Sequence, residues 1–169
     1  LEAKKILSLD QLWWLVTPQN PLKIRRPATY KERLHNCNNF VKNHPIIVKE
    51  IEKKINSKYS YYTIKYLLHH YSNIKFYWLM GADNLVNFHQ WQNWNQFFNQ
   101  ISIVIFKRYN YNNAALNSIA SQTFAKFQIE SKQLNHMRFT SLPSWTFVQN
   151  EEIKISSTEI RKQRELFRR

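Results

Sequence analysis

The sequence predicts an open α/β domain, a parallel sheet flanked by helices. Two observations carry that prediction. Apolar runs such as Leu12–Val16, Ile74–Met80, Ile101–Phe106 and Trp145–Val148 alternate with segments whose apolar residues recur at helical spacing. The chain of 169 residues, without internal repeat, low-complexity tract or convincing linker, also suits a single domain over 1–169.

Each element has a local reason. Leu1–Leu7 reads as the tail of a helix that ends near Ser8. Leu12–Val16 is a continuous apolar run closed by Thr17-Pro18, the pattern of a strand buried on both faces. Residues 17–27 form a basic loop punctuated by prolines. Thr29, with Glu32 three residues on, is a capping box that opens a helix with Leu34, Cys37, Phe40 and Val41 as its apolar face. Pro45–Val48 is a short strand. Ser60 caps a further helix bearing the stripe Ile64, Leu67, Leu68 and Tyr71. Between the strands Ile74–Met80 and Ile101–Phe106, the aromatic segment Asn84–Phe98 reads as broken helix. Ala114–Phe124 fits one helix, and Trp145–Val148 is a late strand. A last helix, Glu159–Leu166, follows Ser156-Ser157-Thr158.

Composition excludes several classes. Hydrophobic residues at 43% and aromatics at 15% describe a globular chain, not a disordered one. The single cysteine, Cys37, excludes an internal disulfide framework and a cysteine-based zinc knuckle. No run of about eighteen apolar residues is present, and Leu1–Asp10 lacks the apolar stretch of a signal peptide, so a cytoplasmic setting without membrane insertion is expected. The net charge of +14 points to an anionic partner: nucleic acid, a membrane surface or a phosphorylated small molecule. The excess is rich in lysine and accompanied by abundant Asn, Ile, Tyr and Phe. That bias favours compositional drift, and nucleic acid is the disfavoured partner.

Glycine occurs once, where average usage would supply roughly twelve. Gly81 is therefore the position where backbone geometry is expected to demand it. It opens Gly81-Ala82-Asp83, just past a predicted strand, where open α/β sheets bind ligands. A glycine admits a ligand close to the backbone, and Asp83 can accept bonds from a ribose hydroxyl or amide, or simply cap a helix. Trp91 follows ten residues after Gly81, and Trp94 follows that. Trp91 is either a platform that stacks a heterocycle or part of the core, whereas Trp94 reads as core. Near the end of the chain, Ser156, Ser157 and Thr158 precede a predicted helix, with Arg161 one turn in. Such a junction offers backbone N–H groups, hydroxyls and a planar guanidinium to an anion, though Ser-Ser-Thr also makes an ordinary cap.

Together, Gly-Ala-Asp-x-Leu…Phe-x-x-Trp-x-x-Trp and the later Ile-Ser-Ser-Thr-x-Ile-Arg resemble the bacterial nicotinate-nucleotide adenylyltransferases. The loop from Trp13 to Lys23, the Tyr59-Ser60…Thr63 entry to a helix, and Phe106-Lys107-Arg108 resemble further parts of that family. Asn110 stands where the family usually has glycine, and Asn is the next-best residue for positive φ. The resemblance runs from about residue 1 to 165. Its more specific half is the segment from Gly81 to Trp91.

The resemblance implies a Rossmann-like nucleotidyltransferase domain. It implies adenylyl transfer from ATP to nicotinate mononucleotide, giving nicotinate adenine dinucleotide and pyrophosphate, with Mg²⁺. It assigns Ser156, Ser157, Thr158 and Arg161 to ATP, and Gly81, Ala82, Asp83, Trp91 and Thr63 to the nicotinate nucleotide. Lys23 and Arg108 match basic positions near the phosphates. No resident metal site is expected. The phosphate of one substrate attacks the other directly, so no protein nucleophile is required.

The family's opening motif, Gly-x-Phe-x-Pro-x-His-x-Gly-His, has no counterpart here. None of His35, His44, His69, His70, His89 and His136 stands in that pattern, so the catalytic residues are unassigned. The expectation is a domain whose first strand is missing, incomplete at the N-terminus and at the C-terminus, and inactive as it stands. The alternatives are another nucleotidyltransferase, a non-catalytic remnant of this enzyme, or a basic nucleic-acid binding protein.

Overall fold

The structure, a computed structural model, describes residues 2–19, 21–22, 28–131 and 141–150. In chain order the elements are α1 (Glu2–Ile6), β1 (Trp13–Leu15), α2 (Tyr30–Val41), β2 (Ile47–Lys49), α3 (Ile51–Lys54), α4 (Ser60–His70), β3 (Tyr77–Gly81), α5 (Ala82–Val86), α6 (Trp94–Phe98), β4 (Ser102–Phe106), α7 (Asn112–Leu116), α8 (Ile119–Thr123), β5 (Gln128–Ile129) and β6 (Trp145–Val148). Every strand pairing is parallel, as the alternation of strands and helices predicts. The described strands form two sheets, however: β1 pairs with β2, while the other four run in the order β3-β4-β6-β5.

The four-stranded sheet holds the core. Along β4 the side chains alternate between its faces. Ile103 and Ile105 join the larger cluster with Leu85, Phe88, Phe97 and Phe98 from the segment after β3. Val104 faces the other way with Val148, covered by Ile6, Leu7 and Ile129. Burial on both faces, expected for Leu12–Val16, thus belongs to β4, where Ser102, Ile103, Val104 and Ile105 are all buried. In β1, Trp14 is 40% exposed and meets Phe40 edge-on at 5.6 Å, and Trp13 packs on Tyr71 and Phe76. A two-stranded sheet offers too little surface to cover both faces of its strands.

Local signals explain most of the helices. The capping box at Thr29 forms: Thr29 Oγ1 accepts from the Glu32 amide, and the Glu32 carboxylate accepts from the Thr29 amide at 2.9 Å. The expected apolar face of α2 is not buried, because no residue of that helix is, and Phe40 is 59% exposed. Helix α4 is capped by Tyr59 and not by Ser60; the Tyr59 amide donates to Ser57 Oγ. Of its stripe, Ile64 and Leu67 are buried and Leu68 is exposed. The aromatic segment after β3 is broken helix, as expected, with a 3₁₀ turn at Phe88–Gln90 between α5 and α6. The single helix expected over Ala114–Phe124 is two, α7 and α8. Ser118 divides them, accepting the Ser121 amide as an N-cap. Among the described residues, no helix is long and apolar enough to cross a membrane.

Candidate active site

The strand ends set the stage. Gly81 lies opposite Phe106, and Phe106 opposite Val148, so β3, β4 and β6 finish level at one edge of the sheet. That edge presents Gly81–Asp83, Lys107–Arg108 and Asn150. Asn150 Oδ1 accepts the Lys107 amide at 2.7 Å and ties two of the strand ends together. Asn112 Oδ1 accepts the Arg108 amide at 2.9 Å, and Asn110 takes φ 66, the left-handed conformation expected of it.

Gly81 has φ −81 and ψ 158, an ordinary extended conformation. Backbone geometry is therefore not what demands glycine. Space is: a Cβ there would run into Asp83 Oδ1 and would stand 2.9 Å from Arg108 Nε. Asp83 does not cap α5, whose N-cap is Gly81 itself. Its Oδ1 lies 3.6 Å from Arg108 Nε, an ion pair across the strand ends, and makes no hydrogen bond. Both side chains remain substantially exposed, so solvent weakens this pair. Ala82 is wholly buried.

Beside this edge lies a cleft of about 210 Å³, between the segment after β1 and the segment after β3. Its wall includes Leu15, Thr17, Glu52, Trp78, Asn84 and Trp91. Trp91 packs on Phe88 at 4.8 Å between ring centroids and also lines the cleft. Trp94 packs against the core and meets Phe124 edge-on at 6.0 Å, as expected. A broader cavity of about 660 Å³ lies between α3 and α4, lined by Lys53, Lys58, Tyr62 and Tyr66 among others. It is lined by no residue of β3 or of the segment after it and lacks Trp91, so the smaller cleft is the better candidate.

Thr63 does not open into the cleft. It is wholly buried, and its hydroxyl reaches Glu52 Oε1 at 3.5 Å. Glu52 carries no signal in the sequence, where it stands in an ordinary charged run, yet it is 3% exposed. Burial pushes its carboxyl above the ordinary range, and the neighbouring hydroxyls of Thr17, Thr63 and Ser60 pull it back.

The remaining expected residues are placed as follows. Lys23, Ser156, Ser157, Thr158 and Arg161 lie outside the described residues. The chain leaves β6 at the same edge as Gly81 and Arg108, and Ser156 follows six residues after Asn150. His35, His44, His69 and His70 are exposed, His89 is half-buried, and His136 lies outside the described residues. Among the described residues, no group of three His, Cys, Asp or Glu side chains converges to hold a metal ion.

The cytidylyltransferase-like family model matches residues 1–163. The chain is 36% identical over 160 residues to a Ruegeria sp. (strain TM1040) protein named "Probable nicotinate-nucleotide adenylyltransferase", covering 95% of this chain and 85% of that one. A Rhizobium meliloti (strain 1021) protein of the same name is 34% identical, with 94% and 85% covered. Among solved structures, Plasmodium falciparum nicotinic acid mononucleotide adenylyltransferase complexed with APC is similar in fold. Its TM-score is 0.62 at 18% identity, over 94% of this chain and 72% of that one. The same enzyme complexed with NaAD gives 0.61.

Proposed function

The chain belongs to the nicotinate-nucleotide adenylyltransferases, within the cytidylyltransferase-like family, and from that premise we infer how its strand-end edge and cleft divide the reaction. The reaction is adenylyl transfer from ATP to nicotinate mononucleotide in the formation of NAD. An oxygen of the mononucleotide phosphate bonds to the α-phosphorus of ATP. The bond from that phosphorus to the β-phosphate bridging oxygen breaks, and pyrophosphate leaves. No covalent enzyme intermediate is needed, so catalysis rests on alignment and on stabilising charge at the transferring group.

The nicotinate ring enters the cleft against Trp91, and the nucleotide lies along Gly81–Asp83. The observation that supports this is Trp91 itself, backed by Phe88 and open to the cleft beside the strand ends. Arg108, beside Gly81, meets phosphate; by their match to the family, Lys23 serves near the phosphates and Arg161 serves ATP. Ser156, Ser157 and Thr158 hold the ATP phosphates through hydroxyls and backbone N–H groups. Mg²⁺, arriving as part of the ATP substrate, would neutralise phosphate charge, and among the described residues Asp83, paired with Arg108, is a carboxylate that could meet it. The reaction is assigned to the cytoplasm.

The test is to incubate the chain with MgATP and nicotinate mononucleotide and follow nicotinate adenine dinucleotide and pyrophosphate. Arg161→Ala should raise the Kd for ATP, read by titration calorimetry, about ten- to a hundredfold, the loss of a charged fork to phosphate. In parallel, ATP at a hundred times its Kd should stabilise the chain by roughly 2.7 kcal/mol. Duplex DNA should lose any effect by about 0.2 M salt. Stabilisation by DNA alone would favour a nucleic-acid binding protein.

A further inference from the structure

Glu52 is a buried ionisable side chain that the reaction does not use directly. It is 3% exposed, Oε1 meets the Thr63 hydroxyl at 3.5 Å, and Oε2 is buried without a hydrogen-bond partner. A carboxylate in that state opposes folding, and nothing in Ile51-Glu52-Lys53-Lys54 requires an acid there for helix formation. The hydroxyl that reaches it is that of Thr63, in the first turn of α4, while the Thr17 hydroxyl in the loop after β1 donates to the Gln19 carbonyl at 3.4 Å. Thr17, Glu52 and Ser60 all line the cleft with Trp91, whereas Thr63 is shut off behind them. Whatever Thr63 does for a ligand, it does through this carboxylate.

We propose that Glu52 is a positioning residue for the nicotinate nucleotide. It fastens α3 to the first turn of α4 through Thr63 and so fixes the wall of the slot in which a ring lies against Trp91. This rests on reading the cleft as the nicotinate-nucleotide site. The carboxylate works by accepting hydrogen bonds, so a neutral acceptor of the same shape should replace most of its effect.

The experiment compares wild type, Glu52→Ala, Glu52→Gln and Thr63→Val in the whole chain. Titration calorimetry reads the Kd for nicotinate mononucleotide and for ATP, and acrylamide quenching of tryptophan fluorescence reads the slot without ligand. Glu52→Ala and Thr63→Val should each weaken nicotinate mononucleotide about tenfold, near the limit for one hydrogen bond, with ATP unchanged within about twofold. Glu52→Gln should recover most of that loss. Quenching should rise in Glu52→Ala and stay near wild type in Glu52→Gln. A folded Glu52→Ala with wild-type Kd, or equal losses for both nucleotides, would overturn the proposal. If Glu52→Ala does not fold, Thr63→Val decides, and an unchanged Kd in that variant overturns it. If wild type binds no nicotinate mononucleotide, the reading of the cleft fails. The quenching arm then decides alone whether Glu52 holds the wall, and equal quenching in wild type and Glu52→Ala overturns that too.

Discussion

Asp83 Oδ1 and Arg108 Nε stand 3.6 Å apart across the ends of β3 and β4, and Gly81 lies directly beneath them. The pair can stand there only because position 81 has no side chain. Gly81→Ala should therefore displace Arg108, whose Nε and Cγ both crowd the added methyl group, and lower stability by about 1–3 kcal/mol. In an Arg108→Ala background the same substitution should cost less. A double-mutant cycle by chemical denaturation reads the difference, and strict additivity would show that Arg108 is not what excludes the methyl group.

Trp91→Ala should weaken nicotinate mononucleotide selectively, by about 1–3 kcal/mol if the ring stacks a heterocycle. Because Trp91 also packs on Phe88, the alanine variant should lose thermal stability as well. Trp91→Phe separates the effects, keeping most of the packing and much of the stacking. Calorimetry with each nucleotide checks this, and equal losses for both would assign Trp91 to the core alone.

Glu52 should also leave its mark on stability against pH. Its carboxyl is raised above the ordinary value of 4.5 by burial, so the folded chain binds a proton there more tightly than the unfolded chain does. The stability linked to that proton is complete below the unfolded value and is lost as pH rises through the raised one. Glu52→Gln does not titrate, so its melting temperature should gain on wild type as pH rises across that window. A constant difference between the two from pH 4 to 8 would mean that Glu52 titrates as an ordinary surface acid.

In the core, Phe98 stacks on Phe124 with ring centroids 4.2 Å apart, and Phe98 is wholly buried. Phe98→Ala should lower stability by about 3–5 kcal/mol. Phe40, at 59% exposure, should tolerate the same change within about 0.5 kcal/mol despite its place on the expected apolar face of α2. Urea denaturation of the two variants checks the contrast.

Much of the candidate site was legible because the ligand-facing residues of such a sheet follow its strands. Gly81, Asp83 and Trp91 were each found by looking past an apolar run, and Arg108 through a family resemblance. Thr63 was found only through a family resemblance, and its burial behind Glu52 could not be anticipated. Gly81 was singled out correctly for the wrong reason: its scarcity was visible, but the crowding by Arg108 comes from a strand twenty-odd residues later.

What the sequence determined by itself was short-range. The Thr29–Glu32 capping box, the left-handed Asn110 and the broken aromatic helix after β3 depend on hydrogen bonds and backbone preferences spanning a few residues. Those act the same way wherever the segment lies. The tertiary structure decided which apolar runs are covered. Leu12–Val16 and Ile101–Phe106 look alike as strings, yet only the second lies between two other strands with packed layers on both faces. It likewise decided that Glu52, in an ordinary charged helix, is closed over by the loop after β1 and by α4. Burial is set by what packs against a residue from elsewhere in the chain, and no local pattern records that.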